Sequence, residues 1–177
     1  MSPGEALLPA IEDHRKAIVA CMTAIRGVVP ADWTEPARPG GWTRAEIAEH
    51  LAISYGPPLS ELAGGAGFAV RLPWWKRQFL RWKFLPTIRR GGFPKGAPAP
   101  REIRPAAASP DPEHAARRLL EQAETFLERL ESATRKRPAR VTHPYFGKLS
   151  ARDVVQLLTA HVNHHRRQLS AATGPPS

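Results

Sequence analysis

An all-α fold, a four-helix bundle, is what this sequence predicts, and three observations predict it. Apolar residues recur at three- and four-residue steps in four separate stretches. No stretch carries the convincing alternation of a half-buried strand, and a Thr, Asp or Ser suited to capping opens three of the four periodic stretches. At 177 residues the chain is long enough to bury a real core, and it is read as one domain over residues 1–177 with an insertion at about 65–110.

The first helix is expected from Leu8 to about Arg26, where Ile11, His14, Ile18, Met22 and Ile25 share a face and Pro9 falls in the first turn. His14 lies on that apolar face and is read as a core histidine outside any site. Cys21 is read as a small buried hydrophobe, because nothing near it in sequence would lower its pKa. Three prolines and a glycine pair make residues 28 to 41 a loop. Trp42-Thr43-Arg44-Ala45-Glu46 then supplies a capping box, in which Thr43 and Glu46 satisfy each other's end of a second helix. That helix is expected to reach about Tyr55, with Ile47, His50, Leu51 and Ser54 inward, until Gly56-Pro57-Pro58 stops or kinks it.

After a glycine-rich turn at Ala63 to Gly67, Pro73 should open a short helix running to Leu85. Trp75, Phe79 and Trp82 form one stripe on it, with Lys76, Arg77, Arg81 and Lys83 around them. Residues 71 to 104 hold ten Lys or Arg against Glu102 alone, nearly the whole net charge of +10. The expectation is that this helix packs its tryptophans over the bundle and leaves its charges solvated. Arg89 to Pro110, rich in Pro, Gly and Ala, is read as an extended loop over the surface.

Asp111 and Pro112 open the third long helix, whose buried stripe is Leu119, Ala123, Phe126, Leu127 and Leu130, with Arg117, Glu121, Glu124 and Glu128 facing solvent. A basic turn follows from Arg135 to Arg140, ended by Pro138. His143 to Leu149 reads as a connection, and Ser150 with Asp153 caps the final helix.

Chemistry is concentrated in that last helix. At about 100° per residue, Val154, Leu157, Leu158, His161, His165 and Gln168 fall in one sector, so two imidazoles point inward one turn apart. A lone inward histidine is ordinary in a core. Two on one stripe need several polar partners to offset desolvation, and binding one transition metal is the more economical arrangement. His50, inward on the second helix, is the third ligand. Three neutral histidines leave an ion an open position, the catalytic pattern, at which water or a thiol can ionise. The pattern is not that of a zinc protease, because no glutamate follows His161. Gln168 is a candidate to orient a ligand or touch substrate. Glu46, one turn before His50, is a weaker candidate for the same role, and His164 lies at the edge of the stripe.

These residues resemble the DinB-like superfamily: Trp42-Thr43 with Glu46 and His50-Leu51, then His143-Pro-Tyr-Phe-Gly147-Lys-Leu149-Ser150, then His161 with His164-His165 and Gln168-Leu169. The resemblance implies a four-helix bundle whose metal ligands, carried over by position, are His50, His161 and His165, holding Zn or Ni. It also implies thiol chemistry, since characterised relatives transfer low-molecular-weight thiols such as bacillithiol or mycothiol to small electrophiles. The expectation is therefore a metal-dependent thiol S-transferase or hydrolase acting on a small molecule, and a homodimer is compatible with it. The alternative is a non-enzymatic module that engages nucleic acid or an anionic membrane surface through the basic aromatic insertion.

One cysteine excludes an intrachain disulfide and a cysteine-built zinc site. With apolar runs far short of a membrane span and no basic-then-apolar leader at the N-terminus, a cytoplasmic protein is expected.

Overall fold

A computed structural model describes residues 6–70, 72–93, 98–136 and 138–170. Arg71, residues 94 to 97 of the expected surface loop and Arg137 of the expected basic turn lie outside the described residues.

Helix α1 spans Leu8–Arg26 and buries the predicted stripe, His14 included. Cys21 is fully buried, and burial pushes its thiol up to about 12. Helix α2 spans Arg44–Ile53 and opens with the capping box: Glu46 N–H donates to Thr43 Oγ1 at 3.1 Å, and Thr43 N–H donates to Glu46 Oε2 at 2.8 Å. The two prolines after it redirect the chain without ending the helical path. They occupy the first turn of α3, Gly56–Leu62, where their missing N–H groups are not needed.

Helix α4 spans Trp74–Arg89. It runs past the expected end at Leu85, carrying Pro86 inside the helix on its exposed side. Helix α5, Pro112–Lys136, takes in two residues of the expected basic turn, and α6 spans Ala151–Leu169 with Ser150 Oγ accepting from Asp153 N–H at 3.2 Å. Short 3-10 turns at Pro30–Asp32 and Arg101–Ile103 interrupt the two long loops.

The bundle consists of α1, α2, α5 and α6. Both α1 and α2 pack against α5 and α6, so α1 sits diagonally across from α2 and α5 from α6, while α1 and α6 lie side by side. Its interior is filled by Ile11, Ile18, Ile25, Leu51, Tyr55, Leu119, Phe126, Leu127 and Leu130. His14 is satisfied within that core. Its Nδ1–H donates to Thr159 Oγ1 at 3.0 Å, whose hydroxyl donates to Val155 O, and its Nε2 accepts from Tyr55 O–H at 2.9 Å. At the surface the ion pairs Arg15–Glu124 and Arg26–Glu113 join α1 to α5, where solvent screening leaves them little weight in stability.

Two expectations are corrected. The stretch read as a bare connection is an antiparallel hairpin, β1 Arg140–His143 paired with β2 Gly147–Ser150. Val141 and Leu149 face each other in its register and are both buried, while Gly147, at φ 70°, closes a three-residue loop whose left-handed position favours glycine. Glu61 of α3 holds β1 by accepting from Thr142 N–H and Oγ1–H, each at 2.7 Å. The second correction concerns α4, which packs through Leu85 and Ile88 with Leu80 and Phe84 at the margin, and not through its tryptophans. Trp74, Trp75, Phe79 and Trp82 are 69, 56, 54 and 76% exposed. The reason is geometric: Leu85 and Ile88 centre about 120° round the wheel from Trp75, Phe79 and Trp82, and the face that meets the bundle stops short of that stripe.

Candidate metal centre

His50 comes from the last turn of α2, and His161 and His165 from one face of α6; packing of α2 against α6 brings them together across 111 residues of chain. One ring nitrogen from each lies within 4.8 Å of the others, and all three residues are buried. His50 Nε2 and His161 Nε2 are 2.9 Å apart.

The far side of each of two rings is pinned. His50 Nδ1–H donates to the backbone carbonyl of Ile103 at 2.6 Å, and His165 Nδ1–H donates to Gln168 Oε1 at 2.8 Å. Both Nε2 lone pairs are thereby turned to the centre, the arrangement in which a hydrogen-bonded imidazole binds a metal. Between His50 and His161 the only ring able to donate is His161, and a cation binding both lone pairs takes the place of that proton.

Burial keeps all three rings neutral. It pushes His50 down to about 4, against the Ile103 hydrogen bond, which favours the charged form. His165 falls to about 3, by burial first and then by the nearby His50. His161 is held well below the usual imidazole range by burial and by its two partners. Three buried, neutral imidazoles with no carboxylate among them fit a divalent transition metal, and the charge such an ion brings would offset the desolvation that disfavours imidazolium here.

The remaining candidates separate. Gln168 bridges two histidines, since its Nε2–H also donates to His164 Nε2 at 3.2 Å. His164 is half-buried and faces the same cavity as the three rings. Glu46 lies outside the cavity lining, its carboxylate taken by the Thr43 backbone.

The cavity holds about 850 Å³ and is walled largely by apolar and aromatic side chains, with Arg38 and Arg167 at its lining and no Asp or Glu among the described residues. Several of its residues carry no assignment in the sequence reading. Trp42 lies 4.7 Å from the His50 ring, and Phe93 stacks on His161 at 5.3 Å. His143, pushed by burial down to about 3, stacks on Phe146 at 4.6 Å and accepts from Tyr145 N–H. Tyr145 O–H donates to Pro98 O at 2.7 Å, so the hairpin holds the strap that carries Ile103. His143 and Tyr145 stand in the His-Pro-Tyr-Phe-Gly motif, which is the signal that could have placed them; Phe93 and the Ile103 carbonyl have no such signal.

Among solved structures, the chain is similar to YfiT from Bacillus subtilis, a probable metal-dependent hydrolase with an unusual four-helix bundle topology, at 16% identity and a TM-score of 0.59 over 94% of this chain and 85% of that one. It is also similar to TT2238, a four-helix bundle protein, at 24% identity and a TM-score of 0.48 over 96% of this chain and 99% of that one. No curated protein matches the chain in sequence. The sequence pattern of the DinB superfamily matches residues 10–169, and the chain with its diagonal four-helix bundle belongs to that superfamily.

Proposed function

We propose that this protein is a metal-dependent enzyme in which His50, His161 and His165 hold a divalent cation, Zn or Ni, for hydrolysis of a small molecule or transfer of a low-molecular-weight thiol to it. The observation that carries this reading is the convergence of three buried, neutral imidazoles with two Nδ1–H groups already engaged. The description of YfiT as a probable metal-dependent hydrolase supports it. A divalent cation supplies Lewis-acid activation of water or a thiol at neutral pH.

The chain's own residues do the rest. Ile103 O and Gln168 orient two of the ligands, Phe93 and Trp42 cover rings that water would otherwise reach, and the apolar walls accept the body of a substrate. Among the described lining residues the charged ones are Arg38 and Arg167, which suit an anionic or neutral substrate. His164, hydrogen-bonded to Gln168 and facing the cavity, is a substrate contact.

Elemental analysis of protein purified without a histidine tag tests the reading. One divalent metal per chain is expected in the parent and none in His161→Ala, and a folded His161→Ala protein at full occupancy would remove the proposal. A screen of thiol conjugation and ester or amide hydrolysis on the metal-loaded protein then separates the two reactions.

A further inference from the structure

Helix α4 has two apolar faces and the bundle covers only one. Leu85 and Ile88 are buried, while Trp75, Phe79 and Trp82 stand in solvent within a sector of about 60° centred about 120° round the helix from them, with Lys76 and Lys83 along its far edge. Contiguous exposed aromatic surface of this kind marks an interaction site. The helix is held rigidly: Arg89 pairs with Asp153 of α6 at 2.6 Å and Arg81 donates to Lys148 O of β2 at 3.4 Å, so the face is formed before any partner arrives.

We propose that this face docks on an anionic membrane surface, with α4 in the plane of the interface, its aromatic rings among the headgroups, and Lys76 and Lys83 against anionic lipid. Trp and Phe at headgroup depth bury their apolar bodies while indole N–H groups stay hydrated. The surrounding segment supplies the attraction, with ten cationic residues against one acidic between residues 71 and 104.

Two other partners fit less well. A single-stranded nucleic acid would stack its bases on open ring faces, but Lys76 Nζ lies over Trp75 at 5.2 Å and Lys83 Nζ over Phe79 at 6.0 Å, while Phe79 and Trp82 lean on each other at 6.3 Å. A second copy meeting this face about a twofold would set one cationic segment against another. An anionic lipid surface neutralises the same charges.

Co-sedimentation of the full chain with phosphatidylcholine vesicles, with and without phosphatidylglycerol, tests the proposal. The parent should pellet with the anionic vesicles, shift its tryptophan emission to the blue, and release as salt rises. Lys76→Gln with Lys83→Gln should weaken binding roughly 30-fold, and Trp75→Ala with Phe79→Ala and Trp82→Ala should abolish it, with the circular dichroism melt unchanged in both. Should the triple variant fail to fold, the double lysine variant carries the test, since both its side chains lie in solvent. A parent that stays in the supernatant with anionic vesicles at low salt overturns the proposal, as does a folded triple variant that pellets like the parent. A single-stranded DNA gel shift without vesicle binding would assign the face to nucleic acid, and a dimer dissolved by the triple substitution would assign it to a second copy.

Discussion

Gln168 is the side chain whose removal should be felt most selectively at the centre. It fixes His165 through Nδ1 and His164 through Nε2. Gln168→Ala should lower metal affinity about 10- to 100-fold while leaving the fold intact, measured by competition against a chelating dye. His14 gives the matching case away from the site. Its pKa falls from 6.5 to about 4 on burial, so the unfolded chain takes up a proton below 6.5 that the folded chain refuses until about 4. Its contribution to stability is therefore complete above pH 6.5 and is lost as pH falls towards 4, by about 1.4 kcal/mol per pH unit. Urea midpoints taken from about pH 7 to about pH 4.5 should slope less in His14→Gln than in the parent, by that one-proton share. The three converging histidines are legible in sequence because side-chain periodicity reports facing. The partner of His50 is not legible: the Ile103 oxygen is backbone, which every residue carries, and it is brought in from 53 residues away.

At the scale of elements, the strap and the hairpin are mechanically joined. Tyr145→Phe removes the O–H that holds Pro98 O, and should raise hydrogen exchange around residues 98 to 104 with little change in the thermal midpoint. Gly147→Ala should cost about 1 kcal/mol in chemical denaturation, because its φ of 70° is a left-handed conformation that a Cβ disfavours. The long helices are readable from their stripes and caps, Thr43 with Glu46 and Ser150 with Asp153. The hairpin is not, because four residues per strand are too few to establish alternation, although Pro144 and Gly147 at the two ends of the turn carry its signature. Pro57 and Pro58 hide α3 for a related reason, as the same residues that end one helix begin another.

For the whole molecule, metal binding at the proposed centre, whose histidines come from two distant helices, should couple to global stability. At a divalent metal concentration of about 100 times Kd, folding should gain about 2.7 kcal/mol, seen as a raised Tm that chelation reverses and that His50→Ala lacks. The diagonal placement of α1 to α2 and of α5 to α6 is not written in any local pattern, since each helix shows only that it has an inner face and not which neighbour meets it. No helix among the described residues is long and apolar enough to cross a membrane. Finally, the sole thiol of the chain lies wholly inside α1's packing surface with its ionisation pushed up to about 12. A colorimetric reagent that titrates sulfhydryls will therefore read an added co-substrate without background from the protein, and a maleimide reporter introduced through one new surface cysteine will label that position alone, with Cys21 left in place.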